Sequence, residues 1–81
     1  MAKKSNRYSH APELVALGAA IRMARKRAGL SQEALALSVE IDRSYLGGIE
    51  RGEHNVALMN ILRLAKCLGL SAMELLSLAD L

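Results

Sequence analysis

The sequence predicts an all-α domain built from five short helices. Of its 81 residues, 15 are Leu and 13 are Ala, whereas Val and Ile together number seven and Thr is absent. This balance favours helix over strand. The apolar fraction of 52% is too high for a disordered chain, and a chain of this length forms one small domain.

Several other classes of protein are excluded by the composition. No apolar run approaches the roughly 20 residues that a membrane span needs, and no apolar stretch follows the basic start at Lys3 and Lys4 as it would in a signal peptide. The single cysteine, Cys67, leaves no internal disulfide. Because His10 and His54 are the only histidines, we expect no metal site and no cofactor. The sequence therefore favours a small cytoplasmic protein.

The first helix is predicted to begin at Pro12, because the first turn of a helix tolerates proline. Residues 1–11 are polar, basic and without periodicity, which indicates a flexible arm before a domain at 12–81. Gly29 ends the helix after a basic last turn. Its buried face is predicted to consist of Leu14, Leu17, Ile21, Ala24 and Ala28.

Three later helices share one start signal, in which an apolar residue, an N-capping residue and an apolar residue at the fourth helical position form a hydrophobic staple. The three sets are Leu30, Ser31 and Leu35; Ile41, Asp42 and Leu46; and Leu70, Ser71 and Leu75. Glu74 adds a capping box to the last set. They predict helices near 32–39, 43–51 and 72–79.

The remaining helix is predicted near 57–68, and Gly69 ends it. Its start is poorly marked, since Ala57 cannot cap a helix, and Asn55 is the alternative cap. The expected inner stripe consists of Leu58, Ile61, Leu62, Ala65 and Leu68.

The second and third helices are separated by about three residues, so they must cross at a large angle. This arrangement is a helix-turn-helix, although an ordinary corner of a small bundle has the same spacing. Ala36 is small enough for the point where the helices approach each other. The pair is expected to be anchored in the core by Leu35, Val39, Leu46 and Ile49.

Residues 14–76 resemble the Cro and phage-repressor type of helix-turn-helix domain. The resemblance is carried by the run 29–36, Ile41, the runs 44–46 and 49–52, and Asn55; Leu17, Gly18, Ile21, Arg22 and Arg25 match upstream, and Leu64, Ala65, the run 68–71, Glu74 and Leu75 match downstream. It implies a compact, five-helix, lambda-repressor-like fold that binds double-stranded DNA, usually as a dimer, to regulate transcription. The segment 42–51 is similar to that of the controller proteins of restriction–modification systems.

The chain departs from this family at two places. Glu40 stands where the family usually has Gly, at a turn position that favours positive φ, which costs a residue with a Cβ about 1 kcal/mol or more. Val56 and Ala57 stand where Pro followed by Ser or Thr is frequent, which weakens the start of the fourth helix.

The N-terminal residues of the third helix are expected to lie nearest the base edges in the major groove. Arg43 can donate two hydrogen bonds to guanine or hold a phosphate. Ser44 can reach a base edge or a phosphate, and Tyr45 either touches DNA or packs against the domain. Gly47 and Gly48 are unusual inside a helix and indicate a close approach to the groove wall or to another backbone, or else a weak helix that its neighbours tolerate.

Residues at the ends of the helices are candidates for the phosphate backbone. The resemblance places a phosphate-contacting glutamine at Gln32, next to the cap Ser31 and at the positive end of a helix. Arg51, His54 and Asn55 follow the recognition helix and could hold the strand, although His54 could equally be plain surface.

Two further sets of residues have expected structural roles. The resemblance suggests that Glu50, an acid inside the recognition helix, pairs with Arg25 of the first helix; two independent surface charges are the alternative. The last helix carries more leucines than one terminal helix can bury, so Leu76 and Leu81 are expected in a dimer interface.

The sequence favours a homodimeric, sequence-specific transcription regulator that acts on a palindromic operator. The net charge of +3 is small, but basic residues cluster at Lys3, Lys4 and Arg7 and within 22–27, which suits a polyanion or a solvated surface. The alternative is a protein-interaction module of the antitoxin kind, with a toxin as partner. No nucleophile–base pair or paired carboxylates indicate an enzyme, and a contact with RNA polymerase stays open.

Overall fold

A computed structural model describes residues 7–81, and five α-helices and no strand occupy that part of the chain. The helices are α1 (Pro12–Arg27), α2 (Gln32–Val39), α3 (Arg43–Glu50), α4 (Leu58–Cys67) and α5 (Ala72–Leu78). The predicted all-α, five-helix fold is therefore confirmed. The predicted arm includes Lys3 and Lys4, which lie outside the described residues.

The helix starts follow the capping signals with two exceptions. The Ser31 hydroxyl accepts a hydrogen bond from the Ala34 amide at 3.0 Å, and Ser71 with Glu74 forms the full capping box. Asp42 occupies the N-cap position of α3, but its side chain makes no capping hydrogen bond. Ala57, not Asn55, holds the N-cap position of α4, and no side chain caps that helix.

The core is built largely from the helix faces that carry the apolar residues of the three staples. Leu35, Leu46 and Leu75, the fourth residues of the three stapled helices, are all fully buried. Ile21 of α1 and Ile49 of α3 join them in one apolar cluster. None of the helices among residues 7–81 is long and apolar enough to cross a membrane.

The buried face of α4 differs from the predicted one. Leu64 and Ala65 are buried, and Ile61 and Leu68 pack against the core, whereas Leu58 is 66% exposed and Leu62 is 39% exposed. The helix offers two overlapping apolar stripes, and the sequence does not distinguish them because leucines occupy both. The core takes the face through Leu64, which shares Ile61, Ala65 and Leu68 with the predicted stripe, and only Leu58 and Leu62 of that stripe face solvent.

Gly18 lets α1 and α3 approach each other closely. A Cβ at this position would lie 2.6 Å from the carbonyl oxygen of Glu50, a backbone atom that cannot move aside. The carbonyl oxygen of Ile49 lies closer still. The two backbones are therefore in contact at the C-terminal end of α3, which fixes how α3 lies on the domain.

The turn between α2 and α3 places Glu40 in the left-handed region, with φ of 61° and ψ of 45°. The turn position keeps the positive φ that the family resemblance implies, although Glu40 carries a Cβ, so the turn has not relaxed to another conformation. We expect Glu40→Gly to be more stable than Glu40→Ala by about 1 kcal/mol, because only a residue without Cβ adopts this conformation freely. Urea denaturation of the two variants measures the difference.

The alanine variant is the matched control for this comparison. Both substitutions remove the exposed ion pair between Glu40 Oε1 and Arg63 Nη2, which lie 3.2 Å apart, so only the backbone term differs between them. Equal stability of the two variants would show that the turn stores no strain.

Candidate nucleic-acid interface

The N-terminal turn of α3 is the part of that helix that is exposed to solvent. Arg43 and Ser44 are exposed and Tyr45 is half-buried, whereas the residues from Leu46 to Glu50 are all buried. Ala36 is 2% exposed, as a small residue at the crossing of α2 and α3 must be. The trailing half of α3 thus attaches the helix to the core, and its first turn faces solvent.

A buried ion pair joins α3 to α1. Arg25 Nε lies 2.7 Å from Glu50 Oε2, and Arg25 Nη2 donates to Glu50 Oε1 at 3.1 Å. The two residues are 7% and 9% exposed. Arg25 Nη1 also donates to the carbonyl oxygen of Leu30 at 2.9 Å. This bidentate geometry makes the pair a strong, directional contact. The two residues are paired, as the family resemblance suggests, and are not independent surface charges.

Gln32 connects this ion pair to the exposed end of α3. Its Nε2 donates to Glu50 Oε1 at 2.9 Å, and its Oε1 accepts from Arg43 Nη1 at 3.0 Å. The side chain predicted to contact phosphate therefore also holds the arginine predicted to read bases. Arg43 is oriented by a chain of hydrogen bonds that ends at the buried charge of Arg25.

Gly47 and Gly48 are covered by side chains of the same domain. A Cβ at Gly48 would lie 2.5 Å from Nε2 of the His54 ring, and one at Gly47 would lie 3.2 Å from Arg51 Nη1. Both glycines are buried. The space at Gly48 is therefore taken by the His54 side chain, from the loop after α3, and not by another backbone, which the sequence analysis offers as one explanation for these glycines.

In the loop after α3, Arg51, a candidate for contacting phosphate, is paired with an acidic residue. Arg51 Nε donates to Glu53 Oε2 at 2.6 Å, and the Arg51 side chain is 61% exposed. The hydrogen bond from Arg51 lowers the pKa of the Glu53 carboxyl; partial burial opposes this effect, and the positive charge of Arg51 adds to it. The carboxylate therefore stays charged to lower pH than an ordinary glutamate.

The remaining candidates lie at the surface near this end of the domain. Ser31 is exposed, and its hydroxyl oxygen serves as the cap of α2. Asn55 is exposed, and His54 is half-buried against Tyr45. The sequence reasoning missed Glu53, since its spacing of two residues from Arg51 is not a pairing distance on a helix.

The end of the predicted arm is attached to this loop. The His10 amide donates to the carbonyl oxygen of Gly52 at 2.7 Å. Arg7 stacks its guanidinium over the Tyr8 ring, 5.5 Å from the ring centre. Residues 7–11 thus run beside the loop that follows the recognition helix.

The predicted dimer residues differ in exposure. Leu81 is 54% exposed, whereas Leu76 is half-buried and packs against the core of its own domain. Leu78 and Met73 of α5 are 39% and 77% exposed. Between residues 7 and 81, no three His, Cys, Asp or Glu side chains come together as ligands for a metal ion.

Comparison with known proteins identifies the fold family. A helix-turn-helix family matches residues 21–75. The control protein C.BamHI of Bacillus amyloliquefaciens is 40% identical over 60 residues, which cover 73% of this chain and 74% of that protein.

Two solved structures agree with this assignment. The restriction–modification controller protein C.AhdI from Aeromonas hydrophila has a TM-score of 0.74 and 52% identity, covering 76% of this chain and 94% of its own. SinR, a master regulator for biofilm formation solved in complex with DNA, has a TM-score of 0.70 and 31% identity, covering 74% of this chain and 97% of its own. The chain therefore belongs to the helix-turn-helix family of DNA-binding regulators, and within it is similar to the controller proteins of restriction–modification systems.

Proposed function

We propose that this protein is a homodimeric transcription regulator that binds a two-fold symmetric operator, as the controller of a restriction–modification operon, and has no enzymatic activity. The observation that carries the proposal is the exposed first turn of α3, where Gln32 holds Arg43 in place. A base-reading side chain that is already oriented loses less entropy on binding. The similarity to C.BamHI and C.AhdI supports the controller assignment.

Base reading is assigned to Arg43, Ser44 and Tyr45 at the start of α3. The backbone contacts are assigned to the surrounding side chains Ser31, Gln32, Arg51, His54 and Asn55. Arg43 can donate to O6 and N7 of a guanine, while contacts to phosphate fix the register of the protein without reading sequence.

Dimerisation is assigned to α5 and the residues after it. Leu81 is exposed in the single subunit, as are Leu78 and Met73 of α5. Leu76, the other residue predicted from the sequence, packs against the core of its own domain, so Leu78 takes its place in this proposal. A second copy would cover this apolar surface. The resulting two-fold axis would place two copies of α3 about 34–36 Å apart, one turn of DNA.

Selection of bound duplexes from a random pool tests the function. We expect a palindromic consensus whose half-site centres are about 10 base pairs apart, together with a dimer in sedimentation analysis. An asymmetric consensus would contradict the two-fold arrangement, and the absence of any enriched sequence would contradict the function.

A protein-interaction role is the second candidate, and the exposed stripe of α4 favours it. Leu58, Met59 and Leu62 are all exposed on this one helix. An antitoxin would use such a surface to hold its toxin. Purification from the native source separates the two functions, because a stoichiometric heterologous partner without an enriched duplex supports only the second.

Glu53 is expected to weaken DNA binding by pairing with Arg51. Glu53→Gln removes a negative charge beside the proposed phosphate contacts and leaves Arg51 without a charge partner, so affinity should rise about three- to tenfold for specific and random duplexes alike. The slope of log K against log salt should steepen by about one. Fluorescence anisotropy at several salt concentrations measures both quantities.

The matched control for this variant is Glu13→Gln, which removes the same charge from the first turn of α1. It should leave the salt slope unchanged. Because the Glu53 carboxyl has a lowered pKa, its charge is present throughout the range near neutral pH and is lost only as the pH falls through that lowered value. The effect of Glu53→Gln should therefore be the same from pH 6 to pH 8, and a steep change in that interval would assign it to another group.

A further inference from the structure

Two aromatic rings lie against each other at the exposed end of the domain. The ring centres of Tyr45 and His54 are 4.8 Å apart, and their planes are inclined by 39°. Tyr45 belongs to the first turn of α3, whereas His54 belongs to the loop that follows the helix. The contact therefore connects the two ends of the recognition segment.

Gly48 provides the space in which the His54 ring lies. A Cβ on Gly48 would lie 2.5 Å from Nε2 and 2.7 Å from Cδ2 of that ring, so any other residue would displace the imidazole. Tyr45 and Gly48 are three positions apart and share one face of α3. The ring of His54 thus rests on the helix backbone and borders the tyrosine.

The loop backbone holds His54 in this place. The Glu53 amide donates to the Gly48 carbonyl oxygen at 2.9 Å, and the Gly52 amide donates to that of Ile49 at 3.0 Å. The Gly52 carbonyl oxygen in turn accepts from His10 at 2.7 Å. The residues directly before His54 are therefore fastened both to α3 and to the segment before α1.

We infer that His54 is a positioning residue for Tyr45, and that its ring, resting on Gly48, holds the tyrosine in the orientation in which it contacts bases. The inference rests on the proposed DNA-binding function and adds to it a specificity determinant that itself need not touch a base. A contact with phosphate alone would make His54 indifferent to sequence, whereas a contact that orients Tyr45 makes it contribute to sequence choice.

The physical basis is preorganisation. A half-buried tyrosine with a free face can turn about two side-chain torsions, and fixing them on binding costs conformational entropy. A ring packed beside it restricts these torsions in the free protein, and aromatic pairs add a further attraction in tilted geometries. The same support would be supplied by any flat ring of similar size at position 54.

The test compares His54→Ala with His54→Phe on the duplex selected by the full-length protein and on a random duplex. We expect His54→Ala to lower the ratio of specific to random affinity about three- to tenfold. His54→Phe should keep that ratio within about twofold, although it has lost the imidazole nitrogens. Equal losses on both duplexes, or no rescue by phenylalanine, would overturn the inference.

A second measurement uses the tyrosine itself. In a Tyr45→Phe background, which keeps the ring, His54→Ala should still lower the ratio; in a Tyr45→Ala background it should have no further effect. Gly48→Ala should act as His54→Ala does, because it displaces the imidazole while both rings remain in the sequence. Additive losses from Tyr45→Ala and His54→Ala would contradict a shared role.

Nuclear magnetic resonance of the free protein checks the contact without DNA. Cross-relaxation between the ring protons of Tyr45 and His54 is expected in the wild type and should be lost in Gly48→Ala. Its absence from the wild type would overturn the inference whatever the protein binds. If the wild type shows the ring contact but selects no duplex, the proposed function has failed. If the wild type selects a duplex but substitutions of His54 leave its selectivity unchanged, only the inference about His54 has failed.

Discussion

Arg25→Ala should lower the free energy of unfolding by about 3–5 kcal/mol, since it leaves the buried carboxylate of Glu50 without its charge partner. The carboxylate is held by two hydrogen bonds from Arg25, at 2.7 and 3.1 Å, and its side chain is only 3% exposed. Gln32 would remain as a donor at 2.9 Å, but a neutral amide does not compensate a buried negative charge. Urea denaturation followed by circular dichroism measures the loss.

Arg63→Ala is the matched control for this prediction. Arg63 also pairs with a glutamate from another part of the chain, but the side chains of Arg63 and Glu40 are 44% and 81% exposed. Such a pair contributes about 0–1 kcal/mol, so this variant should unfold almost as the wild type does. Similar losses for the two arginines would show that burial does not govern the energy of the pair between α1 and α3.

Removing both charges together distinguishes the cost of an unpaired charge from the value of the pair. Arg25→Met combined with Glu50→Met should be more stable than either single variant, because apolar side chains of similar length carry no desolvation penalty. The double variant should nevertheless bind DNA poorly, because Gln32 loses its anchor at Glu50. A double variant that is more stable than either single variant but binds DNA weakly would show that the ion pair orients the site.

The helices of this fold could be predicted from sequence because their signals are local. A staple needs only residues five positions apart, and the capping box at Ser71 and Glu74 involves one turn of chain. The positive φ at Glu40 is implied instead by the family resemblance, since the family usually has glycine at this turn position. The helix starts therefore need no knowledge of the tertiary contacts, whereas the turn is identified only through the family.

The tertiary contacts were harder to predict, and the errors have physical causes. Leucines on both sides of α4 form two overlapping stripes of similar hydrophobicity, and the predicted stripe is wrong at Leu58 and Leu62. The Gly48 contact with His54 depends on how a loop folds back onto a helix. Predicting it requires the path of the backbone through residues 51–55. A loop has no periodic sequence pattern from which that path can be predicted. The pairing of Arg25 with Glu50 was reached only through the family resemblance.

Arg43→Ala should lower affinity for the selected operator by about 1–3 kcal/mol per half-site and relax the preference at one base pair. The reason is that an exposed guanidinium on the first turn of α3 can donate two parallel hydrogen bonds to one guanine, and alanine donates none. Binding to random duplex should fall less. Selection from a random pool with the variant shows which position of the consensus loses its preference, and an unchanged consensus would contradict base reading by Arg43.

Gln32→Ala separates the two tasks that the site combines. From sequence alone, a residue that only contacts phosphate should weaken binding to all duplexes alike. The hydrogen bond from Arg43 Nη1 to Gln32 Oε1 changes this expectation, because losing Gln32 also releases the arginine that reads the base. We therefore expect Gln32→Ala to weaken random binding and, in addition, to reduce the preference at the base pair assigned to Arg43. In the background of Arg43→Ala, the second effect should vanish and only the uniform loss should remain. A purely uniform loss in both backgrounds would show that Gln32 holds phosphate and does not orient Arg43.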